Sequence, residues 1–379
     1  MKDAVAASRL RHIRTQAKAR VYREDLMFTK MLFLVILIFL FLSSPSAYSE
    51  EKIGECLACH QKETRGIFQA WVNSKHAKQG VDCITCHKSH EEAKAKKSAV
   101  EPEACARCHK EKFDQFQKGR HSVSWDRIKN HPQYLALSEP LKKAFCDRCH
   151  NIQFKCNSCH TSHAFHPEEA KEPEACRKCH AGLAGPHDEM YASSLHGTIY
   201  AVAKDLTRAP TCASCHMHKG THDISFGVVY DSWGNPVDKN GKTLSKEEQE
   251  ETRKEMIKGV CFQCHIKSLT LERYELADTV KQRARAVLDE AEKVIRELEQ
   301  EGILKKGVVL GRDQLYQGTS RIEAIYYRMA QFQNVYTWKG AYHFSADFAH
   351  WYGWAHLQMS LIEIKEEARK LRELKKRED

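Results

Sequence analysis

The chain has 379 residues, 42% hydrophobic and 29% charged, with sixteen cysteines, 22 histidines and a formal charge of +10. That apolar share excludes wholesale disorder, and the length accommodates two or three domains or one large one. Half of the net charge belongs to residues 1–49, which hold eight Lys/Arg against three Asp/Glu, so the basic balance is no argument for nucleic-acid binding.

Residues 1–49 read as a leader. Lys30 precedes an unbroken apolar run at 31–42, and Ala47-Tyr48-Ser49 has the small-x-small form of a cleavage site, the pattern of a secretory signal peptide. The run is short for a membrane span, which leaves a retained anchor as the alternative. Export to the periplasm, or otherwise outside the cytoplasm, is the expectation.

Next comes a cysteine-rich zone, taken as residues 50–268. All sixteen cysteines fall in Cys-x-x-Cys pairs, each followed at once by histidine: Cys56/Cys59/His60, Cys83/Cys86/His87, Cys105/Cys108/His109, Cys146/Cys149/His150, Cys156/Cys159/His160, Cys176/Cys179/His180, Cys212/Cys215/His216 and Cys261/Cys264/His265. Each is a c-type haem attachment site: two thiols bond the porphyrin and the adjacent imidazole is carried under the iron. Zinc half-sites and disulfides need no histidine directly after every pair. Eight covalently bound haems are therefore expected, and at about −1 each they would bring the chain after residue 49 from +5 to about −3.

Motif starts lie 27, 22, 41, 10, 20, 36 and 49 residues apart, too irregular for a solenoid and too close for separate side-chain cores. The haems themselves must form the core, with short helices carrying the motifs. Residues 91–97 and 231–251 read as solvated connections, the second with Gly234-Asn235-Pro236 and Asn240-Gly241 turn signals. Residues 224–230 give the best strand pattern, at most a hairpin arm.

Residues 269–379 lack cysteine and read as helical. Ala277, Val280, Ala284, Val287, Ala291, Val294 and Leu298 alternate spacings of three and four until Gly302, a heptad seam. Ile322, Ile325, Met329 and Phe332 mark another helix, and Leu357, Leu361, Ile364, Ala368 and Leu371 a last one. Such seams want partner helices, either within the subunit or in an oligomer. The fold class is mainly α: a multihaem cytochrome c with a haem-packed N-terminal zone and long C-terminal helices.

An iron with two histidines is closed to substrate, and one with a single histidine is open. Thirteen histidines lie outside the motifs and leader: His76, His90, His121, His131, His163, His166, His187, His196, His218, His222, His343, His350 and His356. That number permits full bis-histidine ligation. His76, His121 and His196 share similar flanks, His90 and His163 each end a His-x-Ser-His run, and with His222 these are the expected distal ligands.

The chain resembles the octahaem hydroxylamine oxidoreductase family over most of its length after the leader. The resemblance rests on Cys146-Asp-Arg-Cys-His150 followed closely by Lys155-Cys156-Asn-Ser-Cys-His-Thr-Ser-His163, on Glu-Ala-Cys176-Arg-Lys-Cys-His180, Glu189-Met190-Tyr191 and Ser194-Leu-His196-Gly197, on Cys212-Ala-Ser-Cys-His-Met217 with Gly220-Thr-His222, and on the segment from Lys339 to Gly353. It implies that the fourth haem is open and catalytic with His150 beneath it, the other seven being bis-histidine conductors, and that the C-terminal helices build a homotrimer. It also implies redox conversion of small nitrogen compounds, either hydroxylamine oxidation or nitrite reduction, with electrons passed to or from a cytochrome or a quinone-linked protein. Where the family places an Asp-His pair after the sixth motif, this chain has Ala184 and Gly185. His187 and Asp188 follow in reverse order and, with Tyr191, are the candidate proton-handling residues. Tyr342 and Tyr352 lie where the hydroxylamine-oxidising members cross-link a tyrosine to the haem. Two alternatives stand beside the enzyme: an electron-transfer protein without a substrate site, and an octahaem reductase of another small oxyanion.

Overall fold

The computed structural model describes residues 47–87, 100–183, 185–225, 229–231, 233–305 and 320–378. The apolar run at 31–42, the charged stretch at 91–97, His90, Ala184 and the middle of the strand-like stretch lie outside these residues. The chain forms two compact units, one of Met1–Gln69 with Asp82–Ile84, the other of Ala70–Val81 with Thr85–Asp379. In the first, helix α1 (Ala47–Glu63) carries the first motif and α2 (Arg65–Val72) begins. The Thr64 carbonyl accepts from the Ile67 and Phe68 amides, closing the turn between them.

In the second unit the cysteine-rich zone is built of short helical pieces. Proline in the first turn opens Pro102–Ala106, Pro132–Leu135, Glu139–Lys142, Pro167–Lys171 and Pro173–Arg177, where its missing N–H costs nothing. The longer elements are α3 (Lys110–Lys118), α4 (Leu195–Ala203), capped by the Ser194 hydroxyl, and α5 (Lys246–Gly259), opened by a Ser245–Glu248 capping box. Among the described residues the only β structure is two isolated bridges, Tyr230 to Pro236 and Val237 to Thr243. The turn signals there act as read: Asp231 Oδ1 accepts from the Trp233 and Asn235 amides, and Asp238 Oδ1 from those of Asn240 and Lys242. The stretch 231–251 is less solvated than expected, because Val237 is buried and Trp233 packs on the main core under the Arg285 guanidinium.

The cysteine-free zone holds α6 (Lys267–Gln300), α7 (Arg321–Arg328), α8 (Asn334–Tyr342) and α9 (Ala355–Glu378). Wide π turns at Met329–Gln333 and Ala349–Trp354 lead into α8 and α9. Gly302 ends α6: it takes a φ of +68°, and the Ile303 amide donates back to the Leu298 carbonyl at 2.9 Å. Helices α6, α7 and α9 pack into one core that includes Leu288, Ile295, Leu298, Ile322, Tyr326, Leu357 and Ile364, each under 2% exposed. Each such side chain contributes about 1.5–3 kcal/mol of burial. Leu288 and Ile295 lie beside the expected seam, so the buried face of α6 is wider than a coiled-coil stripe and suits packing within one chain.

Where α8 crosses the second π turn the backbones nearly touch. A Cβ on Gly353 would stand 2.5 Å from the Thr337 amide nitrogen, and one on Gly340 3.0 Å from Ala349. Among the described residues no helix is long and apolar enough to cross a membrane.

Candidate redox site

Each motif lies on helical turns, the first within α1 and the others in short pieces. The amide of the motif histidine donates to the carbonyl of the first cysteine in the third, fifth, sixth and eighth motifs, at 2.8–3.2 Å. An i, i+3, i+4 turn sets both thiols and the imidazole on one face, the arrangement covalent haem attachment needs. No disulfide joins any of the sixteen cysteines.

Cys59, Cys108 and Cys264 are exposed, the other thirteen cysteines half-buried. Each exposed thiol is the second of its motif. The Cys108 amide donates to the Cys105 carbonyl at 3.2 Å and the Cys264 amide to the Cys261 carbonyl at 3.1 Å, tight turns that leave the first thiol half-buried and carry the second outward. Thioether bonds form at the porphyrin rim, so exposed thiols suit attachment.

Cys59 and His60 belong to the first compact unit, apart from the unit that carries the third to eighth motifs. His60 is held locally: its Nδ1 stands 2.6 Å from the Thr64 hydroxyl, one helical turn on. The second motif is divided, Cys83 falling in the first unit and Cys86 with His87 in the second. The division falls within one short turn. Its physical reason is that Cys83–Cys86 is a four-residue turn with no buried residue, while the Arg107 guanidinium, donating to the Thr85 carbonyl, ties the Cys86 end to the second unit.

Six motif histidines face a second histidine. The pairs are His76 with His109 (ring centres 6.0 Å apart), His163 with His87 (6.1 Å), His121 with His180 (6.0 Å), His222 with His160 (6.1 Å), His196 with His265 (5.9 Å) and His343 with His216 (6.3 Å). Bonds of about 2 Å from a metal to each imidazole, plus about 1 Å from nitrogen to ring centre, set two imidazoles on one metal about 6 Å apart. The spacing therefore fits one haem iron between each pair.

Ring tautomers agree with that fit. Nδ1 of His222 stands 3.3 Å from the Gly220 carbonyl and Nδ1 of His343 2.8 Å from the Lys339 carbonyl. A carbonyl can only accept, so Nδ1 carries the proton and Nε2 is left with a lone pair for a metal. Burial pushes His121 down to about 3 and His216 to about 4, in each case with help from neighbouring histidines. A neutral imidazole is what an iron requires. His163 holds a left-handed φ of 70° and Phe344, next to His343, one of 55°, strained backbone that the surrounding fold maintains.

Five of the six expected distal histidines stand in these pairs. His343 takes the sixth, and sequence reasoning passed over it. It lies in the cysteine-free zone and lacks the flanks shared by His76, His121 and His196. Its signal was only its presence at the end of the Lys339–Gly340–Ala341–Tyr342 run.

Contacts between thiols show which motifs adjoin. Cys105 contacts Cys156, Cys149 contacts Cys179 and Cys176 contacts Cys212, joining motifs three with five, four with six and six with seven. Cys215 also senses Cys261 electrostatically, which links the seventh motif to the eighth.

The fourth motif is entered through a π turn, Lys143–Asp147, which carries Cys146. His150 Nδ1 faces the Ser124 carbonyl at 3.3 Å, and the Ser124 hydroxyl donates to the His150 carbonyl at 2.6 Å. Gln153 Oε1 accepts from the Trp125 and Asp126 amides, so the segment around His150 is clamped to 124–126 at two points.

The residues considered for proton handling lie against the sixth and seventh motifs. The His187 ring is 5.1 Å from that of His180 and 5.8 Å from that of His343. Its Nδ1 donates to the Gly185 carbonyl at 3.2 Å and its Nε2 accepts from the Lys339 ammonium at 3.1 Å. Burial first, then the Lys339 charge, holds His187 well below the ordinary imidazole value, in its neutral form. Asp188 is bound by Arg177 at 2.7 Å and leaves Oδ1 buried without a hydrogen-bond partner. The Tyr191 hydroxyl donates to the Pro210 carbonyl at 3.0 Å, and burial raises its pKa. Tyr342 donates to Asp278, while Tyr352 stacks on Phe348 and is 59% exposed.

A family model described as seven times multi-haem cytochrome CxxCH matches residues 111–310, more than half of the chain. The chain is a multi-haem c-type cytochrome. Cytochromes of this family carry covalently bound haem and are typically extracytoplasmic. The chain is 25% identical to a probable nitrite reductase-hydroxylamine oxidoreductase fusion protein of Kuenenia stuttgartiensis, over 85% of its own length and 52% of the relative's, so it spans about half of that protein. It also matches a reducing HAO-like protein complex of Kuenenia stuttgartiensis, with a TM-score of 0.73, 25% identity and 87% of each chain covered. A hypothetical multiheme protein shares the fold at a TM-score of 0.72 and 17% identity, over 86% of this chain and 96% of the other.

Proposed function

We propose that this multi-haem cytochrome is an exported octahaem oxidoreductase of small nitrogen compounds, with a substrate-binding iron at the fourth motif and seven conducting irons. The observation that carries the reading is the recurrence of facing imidazoles at 5.9–6.3 Å on six motifs, which suits bis-histidine irons built to conduct. The names of the two Kuenenia proteins support the substrate class. The π turn at Cys146 supports assigning the fourth motif a separate task, since such turns collect at functional sites.

Haem held by Cys146, Cys149 and His150 would supply an iron able to bind a small nitrogen ligand and to exchange electrons one at a time. This chain supplies the geometry around it. Ser124 fixes the tautomer and rotation of His150, leaving Nε2 for the iron, and Gln153 locks that segment against movement. The thiol contacts join the fourth motif to the sixth, and the sixth to the seventh, a continuous route for charge. Asp188 and Tyr191, held by Arg177 and the Pro210 carbonyl, position the segment after the sixth motif. Electrons would pass to or from a redox protein, a cytochrome or a quinone-linked partner. Exposed Trp351, Tyr352, Met359 and Ile362 at the C-terminal helices suit a homo-oligomer, a trimer by resemblance.

A second reading, a conductor without substrate, is favoured by one observation: both ring nitrogens of His187 are engaged, and Gly185 supplies no acid or base in place of the family's pair. Electron paramagnetic resonance of the ferric holoprotein separates the two. The proposal expects a high-spin signal from about one haem of the eight that nitrite or hydroxylamine alters; eight low-spin haems indifferent to both would leave only the conductor.

A further inference from the structure

Lys339 joins two motifs that lie far apart in sequence. Its carbonyl accepts from Nδ1 of His343, the imidazole that faces His216 of the seventh motif. Its ammonium donates to Nε2 of His187, whose ring stands edge-on to His180 of the sixth motif at 5.1 Å. Neutral His187 holds that ammonium in place, because its other nitrogen is spent on the Gly185 carbonyl. The same side chain therefore sits at the junction of four histidines, three of them axial candidates on two neighbouring haems, and Cys176 touching Cys212 shows that these motifs adjoin.

We infer that Lys339 is the electrostatic set-point of the sixth and seventh haems, and that His187 is its positioning residue rather than a proton relay. The physics is direct. Reduction adds an electron at the iron, so a fixed positive charge nearby disfavours the ferric form and raises the reduction potential, most strongly where little water screens it. Two adjacent haems raised together become the place where electrons rest on the route past the fourth motif. The inference depends on the haem assignment of the sixth and seventh motifs but not on the identity of any substrate.

The test is a redox titration of the holoprotein followed by optical and paramagnetic resonance spectra, on the wild type and on Lys339→Met, Lys339→Gln and Lys339→Arg. Both neutral variants are expected to lower the potentials of two low-spin haems and leave the others in place, and Lys339→Arg, which keeps the charge, to restore them. His187→Leu removes the acceptor and is expected to give a smaller lowering of the same two haems. Two neutral variants are used so that loss of one through poor folding leaves the other to decide. Unchanged potentials in a neutral variant with its full haem content, or an equal shift in Lys339→Arg, would overturn the inference. The proposed nitrogen chemistry would be untouched by that result, since it is read from ligand binding at the open iron.

Discussion

Among the described residues, the cysteine-bearing zone up to His265 buries eight hydrophobic side chains, whereas the shorter stretch from Lys267 onward buries twenty-one. The first zone is made of short, Pro-started and Ser-capped pieces that could not stand as isolated helices. The second has helices of 34 and 24 residues around a continuous apolar core. One region thus needs its prosthetic groups as its interior, and the other carries its own. The contrast also separates roles: the first zone carries the haem motifs, and the helical zone brings His343 against His216 and Lys339 against His187.

The largest break in this comparison comes from withholding haem. The chain made without haem attachment is expected to lose the helicity of residues 50–265 while a protease-resistant fragment starting near Lys267 survives, as circular dichroism and limited proteolysis would show. A uniformly digested or uniformly folded chain would erase the distinction. Leu288→Ala, at the centre of the helical core, should cost about 2–5 kcal/mol in denaturant unfolding without altering the haem spectra. Gly353→Ala forces a Cβ against the Thr337 backbone and should cost about 1–3 kcal/mol, with the His343 side of the seventh haem disturbed because α8 is displaced. His343→Ala should change stability less but convert one low-spin haem to high spin, while His356→Ala should leave the spectrum unchanged. Smallest of all, Ser245→Ala removes the capping box of exposed α5 and should cost about 1 kcal/mol.

Much of this was legible in the sequence. The eight motifs required only reading, because covalent attachment fixes residue type and spacing together. How deeply each thiol lies was not legible, since spacing says nothing of which side of a turn meets solvent, and Cys59, Cys108 and Cys264 proved exposed. The helical seams were visible as periodicity, and Ala284, Ala291, Leu298, Leu357 and Ile364 are all buried where expected. Leu288 and Ile295 were missed because a seven-residue repeat counts one stripe, while a helix packed against two neighbours buries a broader one. His76, His121 and His196 share local flanks and His163 ends a His-x-Ser-His run; His343 has neither signal, and its place opposite His216 follows from the α8 crossing that Gly340 and Gly353 permit. The environment of His187 was not legible at all, since Lys339 reaches it across 152 positions of sequence.

The measurement that tests the central claim most directly is anomalous diffraction at the iron edge from crystals of the holoprotein. The account predicts eight iron peaks, six of them midway between the rings of His76 and His109, His87 and His163, His121 and His180, His160 and His222, His196 and His265, and His216 and His343. Any of these six histidine pairs found without iron between its rings would contradict it.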